Sequence, residues 1–251
     1  MVSIVKRNLP AYISAIAIVI AVKLIYDGAS CGELDWILAP TARWAGLLCG
    51  VKFAYSPDAG YINHDIKFII APVCSGVRFM IIAFCAVFFS YVHRAPVHSA
   101  AFMWLGGSFT ASYLTTVFVN GVRIALSVQL MNADLGGGWL THERLHLIIG
   151  VLIYFISLLL IYLAAGRVSA SLFAKPASTA PAITKPSSIS IAVFWYLAVV
   201  VGVPMINNII RNGGGNFLEY SVIVTATCLA ALSIIFFMRY IKRRIKTNYL
   251  S

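Results

Sequence analysis

Long apolar runs separated by short basic or turn-rich segments dominate this chain, and they leave few folds open to it. Crossing a hydrocarbon layer of about 30 Å takes roughly 20 helical residues. Six stretches meet that length, at about residues 9–26, 75–92, 97–119, 146–166, 189–210 and 218–239. The 251 residues are 61% hydrophobic and 11% charged, against roughly 45–50% and about 25% in soluble domains. A soluble core cannot hide that much apolar surface. The expected fold is therefore all-α, a polytopic integral membrane helical bundle of about six spans with one or two interfacial or re-entrant helices.

Charge sets the orientation. Lys6 and Arg7 precede the first run, which is long and lacks a following A-x-A site, so it reads as an uncleaved anchor with its N-terminus in the cytoplasm. Alternating from there, the cytoplasmic segments hold Arg94, Arg167, Lys175, Lys185 and the tail cations Arg239, Lys242, Arg243, Arg244 and Lys246. All 8 carboxylates, from Asp27 to Glu219, fall outside. The Lys/Arg bias is what the positive-inside rule requires. Because these cations cap apolar runs, the net charge of +11 is read as facing membrane lipid and not nucleic acid.

Two stretches do not fit simple spans. Residues 34–53 are apolar but interrupted by Pro40 and Arg43, which suggests an interfacial or re-entrant helix on the outer face. Residues 120–145 return toward the membrane and are broken at Gly136-Gly137-Gly138. The Pro/Ser/Ala segment 171–188 reads as a cytoplasmic linker between a core at 1–170 and a C-terminal helix pair with a basic tail at 189–251. No Walker A or GxGxxG pattern supports ATP-driven transport by this chain alone. The 5 cysteines show no CxxC spacing, so neither a zinc site nor a redox dithiol is indicated.

Three polar residues lie where a span meets the expected outer surface: Cys74 in APVCSGVRFM, Arg123 in NGVRIAL and His146 in THERLHLIIG. Residues of this kind at membrane boundaries are functional candidates. Pro72 and Ser75 mark a helix start, where exposed amides and the dipole favour a negative thiolate on Cys74. An imidazole can carry the thiol proton to a leaving amine, and a fixed guanidinium can stabilise an oxyanion. The set suits acyl transfer, but each member has a plainer reading. Cys74 also suits helix packing, Arg123 snorkelling or a pair with Asp134, and His146 a helix cap. His142, beside Glu143 and Arg144, is a rival base on what otherwise reads as a solvated loop face. Spacing alone leaves open a non-enzymatic transporter component or assembly factor for envelope polysaccharide, using Arg123 and His146 to hold an anion or relay protons.

The ordered segments IIAPVCSGVRF, NGVRIAL and HLIIGVLIYF, at the ends of successive spans, resemble the exosortase/archaeosortase family of membrane-embedded cysteine transpeptidases. The likeness covers about residues 9–166. It implies Cys74 as nucleophile, Arg123 as stabiliser of the intermediate and His146 as proton carrier, with Asn120, Ser75 and Gly76 in supporting positions. Arg78, one turn after Cys74, is less typical and is expected to tune the thiolate or pair with Asp65. The implied substrates are exported proteins with a C-terminal sorting signal of motif, transmembrane helix and basic end. They would be cut at the outer face of a bacterial inner membrane and passed to a polysaccharide or lipid-linked acceptor, with no metal or organic cofactor.

Overall fold

The computed structural model describes residues 2–130, 141–173, 189–202, 204–205 and 216–248. Its helices are α1 (Val2–Tyr26), α2 (Asp35–Cys49), α3 (Val77–Tyr91), α4 (His98–Leu130), α5 (His142–Leu172), α6 (Ile189–Leu197) and α7 (Asn216–Asn248). Among the described residues, 5 helices are long and apolar enough to cross a membrane. They lie within α1, α3 with its flanking turns, α4, α5 and α7. The sixth expected span is present as a shorter apolar helix, Ile189–Gly202, and the rest of 189–210 falls largely outside the described residues. The Gly136–Gly138 turn, Asp134 and most of the 171–188 linker also lie outside them.

The chain forms two compact units, residues 1–134 with 157–196, and residues 135–156 with 197–251. In the first unit α1 and α3 run antiparallel. Arg7 Nη2 and Asn8 Nδ2, at the start of α1, donate to the carbonyls of Ala95 and Val92 just past the end of α3 (2.7 and 3.1 Å). At the other end, the Arg78 guanidinium stands 5.9 Å from the centre of the Tyr26 ring. The segment between these helices therefore leaves and re-enters the bundle at one end, and α2 does not cross.

Against α3, α4 runs antiparallel, with Trp104 at Tyr91, Phe109 at Phe84 and Thr116 at Gly76. Arg94 Nη1 donates to Ser169 Oγ (2.8 Å) and Tyr91 Oη to the Tyr162 carbonyl (3.0 Å), which fastens the second half of α5 to the same core. Phe89 stacks on Trp195 of α6.

Two features depart from the sequence reading. First, α4 does not stop at Val119 but continues unbroken to Leu130, so Asn120 and Arg123 sit within a helix. Nothing from 119 to 130 breaks helix except Gly121, and there the Trp44 indole fills the space a Cβ would occupy. Second, a three-stranded antiparallel sheet, β1 (Ala54–Ser56), β2 (Gly60–Asn63) and β3 (Phe68–Ile70), follows α2. Its first turn carries Pro57, Asp58 and Gly60, the last at φ +99°; its second carries Lys67 in the left-handed region at φ +51°.

α2 packs against the second half of α4. Trp36 stacks on Tyr113 and accepts the Tyr113 hydroxyl at its carbonyl (2.8 Å). Trp44 stacks on Phe118 and donates its indole N–H to the Phe118 carbonyl (3.1 Å). The contacts rise in the same order along both helices, so α2 runs parallel to the second half of α4.

Candidate active site

Cys74 sits on a strand–turn–helix corner. After β3, Ala71 is extended and Pro72–Cys74 form one 3-10 turn, closed by Cys74 N–H to the Ala71 carbonyl (2.8 Å) and Ser75 N–H to the Pro72 carbonyl (3.0 Å). Proline suits that first position because it has no N–H to satisfy there. Gly76 then takes φ +78°, reversing the chain into α3, and its carbonyl accepts the Met80 N–H (3.0 Å). A side chain at 76 would be strained by that φ. It would also meet Thr116 Cγ2 at 3.0 Å and the Asn120 amide at 3.2 Å. Cys74 thus precedes α3 by one turn and is not inside it.

The corner is held from α4. Asn120, fully buried, donates its Nδ2–H to the Cys74 carbonyl at 2.5 Å. Arg123 lies one helical turn further along α4, on the side of the helix that carries Asn120, and both Arg123 and Cys74 are half-buried. Ser127 Oγ in turn donates to the Arg123 carbonyl (2.9 Å). Below them, Cys74 packs on a buried cluster that includes Ile37 and Leu38 of α2, Ile70 of β3, Val77 and Met80 of α3, and Ile124 of α4. Four elements therefore contribute to the cluster on which Cys74 packs.

Arg78 is exposed and engages the Tyr26 face; no ion pair with Asp65 forms. Two carboxylates around the start of α2, Asp35 and Glu33, have defined partners. Tyr61 of β2 packs on the same cluster and donates its hydroxyl to Asp35 Oδ1 (2.6 Å). Burial, then that bond and the Asp35 charge, push the Tyr61 phenol up to about 12, with Arg43 opposing. Before α2, the Ser30 N–H and hydroxyl both donate to Glu33 Oε2 (2.8 Å each), and these bonds hold the Glu33 carboxyl below its ordinary value.

His146 is exposed in the second turn of α5, four residues into a helix that starts at His142, and this stretch clusters with the second unit. Cys74 and Arg123 thus belong to the first unit and His146 to the second. Sequence reading missed Trp44, whose ring shields Gly121, and the Tyr61–Asp35 bond. The dipeptide Asn120-Gly121 inside an apolar helix was the signal that a close packing partner exists.

No curated protein and no solved structure matches the chain. A profile of the transmembrane exosortases matches residues 10–163, more than half of the sequence, from α1 into α5. That range takes in the Cys74 corner, the Asn120–Arg123 turn of α4 and His146, and the chain belongs to the transmembrane exosortase family.

Proposed function

We propose that the protein is a cysteine transpeptidase that cuts the C-terminal sorting signal of membrane-tethered exported proteins at the outer face of a bacterial inner membrane. The observation that carries this reading is the Cys74 corner: a cysteine on a braced turn, its carbonyl fixed by Asn120, with an arginine one turn along the same helix. A packing cysteine needs none of that apparatus, and Cys85 and Cys228, buried in apolar helices without it, supply the contrast.

In the proposed sequence Cys74 Sγ attacks the carbonyl carbon of the scissile peptide bond, and Arg123 stabilises the oxyanion that forms. The C–N bond then breaks as His146 delivers a proton to the leaving amine, which leaves a thioester on Cys74. An acceptor hydroxyl or amine, or water, gives its proton to His146, attacks the thioester and releases the thiolate. The acceptor fits a polysaccharide or lipid-linked molecule at the membrane surface.

The substrate is read as an extended motif, a single apolar helix and a basic end. Its helix needs a lipid-facing groove, and Gly106 and Gly107 of α4 face open space on the exposed side of the bundle. Small residues let helix backbones approach closely in lipid. Ala101 is buried in the bundle, so the small residues left to meet such a helix are the glycine pair and the half-buried Ala100 and Ala111.

The test is processing of a reporter fused to such a C-terminal segment, in cells carrying wild type, Cys74→Ala or Cys74→Ser at matched expression. Shortening by wild type and accumulation of intact reporter with both variants supports the proposal. Normal processing by Cys74→Ala rejects it.

A further inference from the structure

The last helices fall outside the range matched by the exosortase profile, which ends at residue 163. They are not packed as an independent pair. The second compact unit combines residues 197–251 with residues 135–156, the stretch that holds the start of α5 and His146.

The contact within that unit is specific. Arg144 directs two donors at one oxygen of Glu219, Nε at 2.7 Å and Nη2 at 2.6 Å, across 75 residues of sequence. Glu219 lies in the first turn of α7, where the dipole favours a carboxylate. Arg144 is the third residue of α5, where the same dipole disfavours a cation. A cation so placed does nothing for its own helix, and the carboxylate of α7 supplies the charge that accommodates it. The next residue braces α7 in turn, since the Tyr220 hydroxyl donates to the Val200 carbonyl (3.2 Å) within the π-helical turn Ala198–Gly202. One turn of α7 thus ties both the start of α5 and the segment that follows α6.

We infer that Glu219, acting through Arg144, is a positioning residue that fixes the first turns of α5 and with them His146, so that the C-terminal helices hold the proton carrier of the reaction. This rests on the role proposed above for His146. The pair is partly exposed, with side-chain accessibilities of 30% and 51%, and exposed pairs add little to global stability. Its effect is on geometry, where displacement by about 1 Å costs as much as roughly 100-fold in rate.

The test uses the full chain in membranes with the same reporter. Glu219→Gln and Arg144→Gln are expected to lower kcat by roughly tenfold with KM unchanged, and the exchange Arg144→Glu/Glu219→Arg is expected to restore most of it. Alkylation of Cys74 should stay at the wild-type rate, because the Cys74 corner belongs to the other unit. Independently of turnover, Glu219→Gln should speed amide hydrogen exchange over residues 143–150 while leaving 157–172 unchanged. Wild-type kcat in Glu219→Gln, an exchange variant no better than the single variants, or unchanged amide exchange over 143–150 would each overturn the inference. Processing that survives Cys74→Ala in the same assay would instead remove the proposed chemistry, and the amide-exchange result would then judge the brace alone.

Discussion

Two spans of equal mean hydropathy, Arg7–Tyr26 of α1 and Pro72–Arg94 around α3, have opposite places in the bundle: in an apolar stretch of 18 residues within each, 11% of the first is buried and 61% of the second. Ile13, Ile16, Ile20 and Leu24 of α1 face outward, whereas Phe79, Phe84, Phe88 and Tyr91 of α3 are enclosed. In water such a difference would be written in the sequence as a polar face. Lipid tails are as apolar as a protein interior, so nothing forces α1 to declare its outer side. What separates the two helices is side-chain shape and polar attachment: α3 is lined with aromatic rings, and its preceding turn is bound by α4. The candidate nucleophile stands at the end of the enclosed helix, where a braced turn can be held still.

The largest expected effect breaks this contrast directly. Phe88→Ala leaves a cavity between Tyr12, Phe84 and Phe89, and should cost about 3 kcal/mol. Ile20→Ala on the outward face of α1 should cost well under about 1 kcal/mol. Reversible unfolding in mixed micelles compares the two. Equal losses would mean that α1 is as enclosed as α3, in this chain or in an assembly of it.

The next two sharpen the contrast at the Cys74 corner. Gly76→Ala forces an L side chain to φ +78° against Thr116 and Asn120, which should cost roughly 1–2 kcal/mol. It should also slow reporter processing by more than the stability loss explains. Asn120→Ala removes the donor to the Cys74 carbonyl and should cost about 1 kcal/mol, with slower alkylation of Cys74 as the specific readout. A normal alkylation rate in Asn120→Ala would show that the turn holds itself.

The smallest effect lies at the edge of the same cluster. Because the folded Tyr61 phenol is raised to about 12, the stability it brings is complete below the ordinary tyrosine value of about 10. It fades as pH rises through about 12. The phenolate absorbance of wild type minus that of Tyr61→Phe should show the late titration, and Asp35→Asn should move it down.

Much of this architecture was legible before any coordinates. Length and hydropathy mark the spans because the hydrocarbon layer imposes them. Pro72 and Ser75 mark the helix start beside Cys74 because proline suits a first helical position, whereas the reversal at Gly76 shows only in the fold. The path of α2 was not legible: Pro40 and Arg43 suggested interruption, yet its fate was decided by Trp36 and Trp44 finding Tyr113 and Phe118, contacts that no local pattern encodes. The sheet escaped because strands of three and four residues are too short for alternation to register. The extent of α4 was misjudged because polar Asn120 and Arg123 looked like a loop, when their burial is paid for by the bond to Cys74 and the packing around it. The Arg144–Glu219 pair was hidden because its partners read, singly, as solvated charges.

The central claim is that the thiol of Cys74 forms the acyl intermediate. Acid quenching of the full chain during turnover of the reporter, followed by mass spectrometry, tests it directly. The account predicts a thioester joining Cys74 to the N-terminal fragment of the reporter, absent in Cys74→Ser. Cleavage of the reporter with Cys74 unmodified throughout, or an adduct at another residue, would contradict it.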